Sequence, residues 1–260
     1  MTIHFRKYQG TGNDFILLDN RENLYNALSL AQIKFLCDRH FGIGADGLML
    51  LNASADFDFE MKYYNSDGNE SSMCGNGGRC ITAFAKELGI ISSKAVFKAI
   101  DGRHESVIDA QGIVRLNMNA VNGIQVNETY TELNTGSPHY VHFTDYVDEM
   151  DMKLEGKLIR YSPKYKDEGI NVNFVEKLSD SSIYVRTYER GVEDETLSCG
   201  TGVTASAIAF KVNEGGPQHV KVKTLGGDLE VFFTMENKNA VHSVLLCGKA
   251  EFVFQGKMII

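Results

Sequence analysis

Two copies of Cys-Gly-x-Gly, Cys74-Gly75-Asn76-Gly77 and Cys199-Gly200-Thr201-Gly202, lie 125 residues apart in a chain of 260. Each follows a polar, strand-like approach and precedes a segment that reads as a helix. A thiol at the start of a helix has its thiolate stabilised by the unpaired backbone N–H groups and by the helix dipole. One such site is a candidate nucleophile or base. Two of them, one in each half, point to a duplicated fold and to a pair of thiols serving one substrate.

The remaining composition narrows the class. A chain that is 43% hydrophobic has material for one large or two smaller cores, and 25 glycines against three prolines indicate many tight turns between short elements. The net charge of −8 and a pI near 5.4 argue against non-specific nucleic-acid binding. No apolar run is long enough to span a membrane, and the first residues turn polar and glycine-rich too soon for a secretory signal. The five cysteines, Cys37, Cys74, Cys80, Cys199 and Cys247, are scattered and odd in number, which fits a reducing cytoplasm. No CxxC or HxxxH pair accompanies them, so no metal site is expected. Cys37, Cys80 and Cys247 read as packing residues.

Along the chain, Phe15 to Asp19 and Leu48 to Leu51 read as short apolar strands, and Ser29-x-x-Gln32 as a capping box. The helix it opens places Ile33, Leu36, Cys37 and His40 on one face and ends at Gly42. Phe57, Phe59, Met61 and Tyr63 alternate with polar neighbours as a half-buried strand that runs into the Asn65-Ser66-Asp67-Gly68 turn. A helix is predicted from Arg79 to Gly89, with Ile81, Phe84, Ala85 and Leu88 as its apolar stripe. Val203 to Phe210 has almost no polar face and reads as a buried helix. Ile183–Tyr188, His219–Thr224, Asp228–Met235 and Ala240–Leu246 have strand composition. The polar segment Asn119 to Thr131 separates the halves, placed at 1–119 and 120–260, with the terminal strand 250–260 packing back onto the first. The expected class is α+β: two pseudo-symmetric halves, each a sheet wrapped around a central buried helix.

Four constellations carry candidate chemistry. In Cys74-Gly75-Asn76-Gly77-Gly78-Arg79 the glycines let backbone N–H groups approach an anion; no Gly-Lys-Ser/Thr follows, so a carboxylate fits better than a phosphate. A lone Cys-Gly would equally be an inert thiol beside a turn, and it is the repeat at Cys199 that favours chemistry. Glu189 and Arg190 end an alternating strand and point to opposite faces, where one could assist the thiol and the other hold a carboxylate. They could also be a solvated strand end. His139, fixed by the Gly136-Ser137-Pro138 turn, could tune a thiol near neutral pH, or simply be structural. Gly10-Thr11-Gly12-Asn13 and His40 to Gly47 are glycine turns carrying Asn13 and Asp46, the latter readable as a turn cap.

Taken together, the ordered segments GTGNDF (10–15), RHFGIGADG (39–47), YYNSDGNESSMCGNGGRC (63–80), GSPH (136–139), GINVNF (169–174) and YERGVEDETLSCGTG (188–202) resemble the diaminopimelate epimerase family end to end. The resemblance implies a pyridoxal-independent epimerase of lysine and cell-wall precursor synthesis, with no cofactor and with its active site in the cleft between the halves. It implies Cys74 and Cys199 as paired acid and base, with His139 and Glu189 assisting their protonation. It implies substrate contacts from Asn13, Asn65, Asn171, Glu189 and Arg190, and a hold on the reacting carboxylate by Gly75, Asn76, Gly200 and Thr201. Diaminopimelate is the implied small-molecule partner, and a homodimer is compatible with the chain. Three departures stand out: Gly47 where many members carry Gln, Ser137 where many carry Asn, and one more residue between Glu189 and Cys199 than in some members. Proline or hydroxyproline racemases and phenazine-pathway isomerases share the implied fold and are the nearest alternatives. A thiol redox or binding module would need only one reactive cysteine or a CxxC.

Overall fold

The computed structural model describes residues 1–71 and 74–260; Ser72 and Met73 of the 63–80 motif lie outside the described residues. Two compact units emerge, Met1–Leu116 with Gly248–Ile260, and Asn117–Cys247.

In the first unit the strand Glu251–Ile259 pairs antiparallel with Thr2–Gly10, which pairs antiparallel with Asn13–Asp19. Asn13–Asp19 runs parallel to Gly47–Asn52, then Phe59–Asn65 is antiparallel, Lys94–Ala99 parallel, and Gly102–Ile108 and Ile113–Met118 antiparallel. In the second unit the order is Gln125–Val126, Thr131–Asn134, Pro138–Phe143, Asn171–Ser179, Ser182–Glu189, His219–Thr224, Gly227–Asn237 and Ala240–Lys249. The succession of pairings is the same in both: antiparallel twice, parallel, antiparallel, parallel, antiparallel twice. Each parallel step needs a crossover, because two parallel neighbours cannot be joined by a tight turn. The first crossover carries α1 (Leu30–Cys37) in one unit and α3 (Met152–Arg160) in the other; the second carries α2 (Gly75–Glu87) and α4 (Gly200–Glu214).

The second-crossover helices are the cores. α2 packs on Thr2–Gly10, Asn13–Asp19, Gly47–Asn52 and Gly102–Ile108, strands far apart in the sheet order, so the sheet curls around it. α4 is enclosed likewise, and its Val203, Ala205, Ala207, Ile208 and Phe210 are buried in one cluster with Val141, Val185, Val222 and Val231. An apolar surface on every side is what such enclosure requires.

Both cysteines sit one residue before their helix. Cys74 is the N-cap of α2 (φ −93°, ψ 133°) and Cys199 the N-cap of α4 (φ −112°, ψ 110°). α2 therefore starts four residues before the Arg79 expected from sequence. The glycines that read as a loop are helical because packing overrides their poor propensity. A Cβ on Gly77 would lie 2.5 Å from Cε of Met49, and one on Gly202 would lie 2.4 Å from Oδ1 of Asn173. The second glycine of each motif thus lets the helix start press onto the sheet, a role the sequence reading did not give it.

The capping box of α1 forms as expected, with Ser29 and Gln32 bonded reciprocally. The helix ends at Cys37, however, and His40 is not on its face. Asp38 stops it by accepting hydrogen bonds from the backbone N–H groups of His40 and Phe41. α3 had no sequence expectation; Asp151 caps it, and it covers the cluster of Val172, Phe174, Tyr184 and Tyr188.

Candidate active site

In the first unit the turn between the first two strands delivers Asn13 to the start of α2. Sγ of Cys74 donates to Oδ1 of Asn13 at 3.6 Å, and Nδ2 of Asn76 donates to the same oxygen at 3.3 Å. Asn13 in turn donates from Nδ2 to Oδ2 of Asp46 at 2.6 Å. Asp46 is held by Arg39, whose guanidinium also forks onto Asp14, and Lys7 closes the chain on Asp14 at 2.8 Å. Asp46 is therefore more than the turn cap read from sequence: it fixes which end of the Asn13 amide faces the sulfur. Burial pushes the Asp14 carboxyl up, but the hydrogen bonds from Arg39 and Lys7 outweigh it and hold Asp14 down at about 2.

Arg79 anchors the same helix start. It is fully buried and donates to Oγ1 of Thr11 at 3.1 Å and to the Gly75 carbonyl at 3.3 Å. Asn65 is brought opposite Gly47 at the end of its strand but is exposed, and no side-chain hydrogen bond ties it to the cluster among the described residues. The space a side chain at Gly47 would need is filled: its Cβ would meet Cε2 of Tyr63 at 2.5 Å. That is the physical reason for glycine at this departure.

In the second unit Cys199 is 7% exposed, with Oγ1 of Thr201 at 3.4 Å from its sulfur. Oγ1 of Thr135 donates to the Thr201 carbonyl at 2.8 Å, which ties the turn before His139 to the first turn of α4. His139 pairs with Asn171 across the parallel strands. Asn171 donates to Oγ of Ser137 at 2.8 Å and accepts from the backbone N–H of Arg190 at 2.9 Å. Arg190 also donates to Ser137 at 3.3 Å and to the Glu168 carbonyl at 3.0 Å, so the shorter Ser137 serves as a hub for both. Glu189 accepts from Oγ1 of Thr196 at 2.9 Å. His139 is fully buried; burial, with the Arg190 charge adding to it, pushes its imidazole down to about 3, so the ring is neutral at physiological pH.

Sequence reasoning missed Asn173 and Thr187. Asn173 is fully buried beneath the start of α4, and Thr187 donates to it at 2.9 Å. The signal was present, since Asn171 and Asn173 are two apart on one strand and so share a face. By contrast Cys37 and Cys80 are ordinary core thiols, each pushed up to about 12 by burial.

Two helix-capping thiols on duplicated units, each among amides and hydroxyls, suit proton transfer at a carbon acid. The diaminopimelate epimerase family matches residues 5–123 and 131–253 of the chain. The chain belongs to the diaminopimelate epimerase family. It is 52% identical to the diaminopimelate epimerase of Flavobacterium psychrophilum, over 96% of this chain and 97% of that one. It is 39% identical to that of Chlorobaculum tepidum, over 95% and 98%. Among solved structures it resembles a phenazine biosynthesis protein of the PhzF family from Bacillus anthracis, with a TM-score of 0.76 at 14% identity and full coverage of both chains. A hydroxyproline epimerase from Agrobacterium vitis matches with a TM-score of 0.71 at 13% identity, over 99% of this chain and 92% of that one. At such identities these two likenesses establish the shared α+β fold and nothing of the reaction.

Proposed function

We propose that this chain interconverts LL-2,6-diaminopimelate and the meso isomer without a cofactor, in lysine and peptidoglycan-precursor synthesis. The observation that carries the reading is the pair of thiols at equivalent helix N-caps of the two units, Cys74 and Cys199. One enters the cycle as thiolate and the other as thiol. The thiolate takes the Cα proton; the C–H electron pair moves onto the carboxylate, and the opposite thiol gives its proton to the other face of the same carbon. The thiolate has then become a thiol and the thiol a thiolate, so atoms and charge balance with no redox partner.

A carbon acid of this kind is weak, and the rate must come from positioning and from donors placed where charge develops. Backbone N–H groups at Gly75–Asn76 and Gly200–Thr201 begin the two helices, where helix N–H groups point along the axis toward an anion, which suits them to the reacting carboxylate. Asn13, Asn65, Asn171, Glu189 and Arg190 supply the polar contacts for the rest of the amino acid. Glu189 supports the thiols.

The test is turnover of LL-diaminopimelate in D2O. Product carrying deuterium at the inverted carbon, with little label in early recovered substrate, is expected; equal early labelling of both would point to a single base, and no turnover removes the substrate assignment. Proline or hydroxyproline offered in its place should not be racemised.

The working state we assign is a cytoplasmic homodimer. Both thiols must stay reduced, which suits a reducing compartment, and no helix among the described residues is long and apolar enough to cross a membrane. The strand Glu251–Ile259 leaves Phe252, Val253 and Phe254 about half exposed (49, 51 and 44%), apolar side chains on both of its faces. Light scattering that returns only the monomer mass at micromolar concentration removes the dimer.

A further inference from the structure

The amide of Asn173 has only one orientation open to it. Its Nδ2 lies 3.0 Å from the Tyr140 carbonyl oxygen, which can only accept, so this end is the NH2. Its Oδ1 accepts from Oγ1 of Thr187 at 2.9 Å, which agrees. The same Nδ2 lies 3.1 Å from Nδ1 of His139 and presents a hydrogen there. Nδ1 must then offer its lone pair, and the single proton of the neutral ring sits on Nε2. That nitrogen is buried and has no hydrogen-bond partner among the described residues. A buried donor left unmade is costly and persists where a ligand completes it. Arg190 lies close enough to disfavour a positive charge on the ring.

We infer that Asn173 is a positioning residue that locks His139 as the neutral Nε2–H tautomer, so that His139 meets the bound amino acid as a hydrogen-bond donor to a carboxylate oxygen and does not serve as a base. The inference rests on the substrate site described above, but the tautomer itself does not depend on which amino acid is turned over. Asn173 acts through His139 and touches no reacting atom. Thr187 steadies the far end of the same amide.

The experiment is 15N NMR of histidine-labelled enzyme near neutral pH, with and without diaminopimelate. In the resting protein Nε2 of His139 should carry the proton and Nδ1 should show the shift of an unprotonated nitrogen; the opposite pattern overturns the inference. On adding diaminopimelate the Hε2 resonance should move downfield, and an unmoved resonance in an enzyme that turns over removes the donor role. Asn173→Asp should invert the tautomer, because a carboxylate at this place accepts from Nδ1–H, and kcat should fall about tenfold or more with KM changed less. Should that variant fail to fold against the Tyr140 carbonyl, His139→Gln and His139→Asn decide. The glutamine amide reaches the Nε2 position and donates but cannot act as a base, so it should keep kcat within about tenfold, while asparagine reaches only the Nδ1 position and should lose about a hundredfold. A His139→Gln variant as inactive as His139→Ala overturns the donor role. An inactive wild-type enzyme that still shows the Nε2–H tautomer counts against the proposed reaction and leaves the positioning of His139 by Asn173 intact.

Discussion

The two units repeat one chain path and surround their thiols differently. In both, a helix starts directly after a cysteine on the second parallel crossover, so backbone geometry alone presents Sγ at a helix N-terminus twice. In the first unit the row across the parallel step is Phe15 against Gly47, and the side chain that reaches Cys74 is Asn13, set by the partly exposed ionic chain Asp46–Arg39–Asp14–Lys7. In the second, the corresponding row is His139 against Asn171, and the support is a buried, uncharged network of His139, Asn173 and Thr187. The scaffold supplies the thiolate-stabilising position, and the strands beneath it differentiate the two thiols. An ionic chain at the surface is screened by salt, whereas a buried amide network is not.

The largest effect expected from breaking this comparison is loss of either thiol. Cys74→Ala and Cys199→Ala should each reduce turnover by about 10²–10⁴, and near-normal turnover by either would dissolve the pairing. Next come the helix-start glycines, where the units should separate. Gly202→Ala drives a Cβ into the packed amide of Asn173 and should cost about 1–3 kcal/mol with a marked loss of kcat. Gly77→Ala meets only the flexible end of Met49 and should cost less, so equal thermal shifts would contradict the contrast.

Acid stability sharpens the contrast further. The folded pKa of His139, about 3, lies below its unfolded value of about 6.5. The unfolded chain therefore binds a proton that the native ring refuses, and stability falls as pH drops from about 6.5 towards 3, by at most about 1.4 kcal/mol per pH unit. His139→Gln should flatten that part of a melting-temperature profile. The Asp14 contribution, held down at about 2, is instead present above pH 4 and lost only below it, so Asp14→Asn should leave the slope between pH 6.5 and 4 unchanged. The smallest effect concerns the core thiols: at pH 8, alkylation followed by mass spectrometry should mark Cys74 and leave Cys37 and Cys80 unmodified, because burial pushes both up to about 12.

Most of the chain path was legible because its signals are local. Alternation at Phe59–Asn65, the Ser29/Gln32 capping box and the all-apolar face of α4 each lie within one element and survive in its letters. The helix starts at Gly75 and Gly200 were less legible, since glycine propensity speaks against them and only the pressure of the sheet speaks for them. α3 escaped because its cover of Tyr184 and Tyr188 comes from strands later in the sequence.

By itself the sequence determined that two of the five thiols sit in a repeated Cys-Gly-x-Gly, that each of these precedes a helix, and that the halves repeat. These follow from short spacings and turn chemistry. Only the tertiary structure decided which end of the Asn13 amide meets Cys74, why position 47 must be glycine beneath Tyr63, and which nitrogen of His139 carries the proton. Each of those depends on partners far away along the chain, 34 residues for His139 and Asn173, and a hydrogen bond has a direction only once both of its ends are in place.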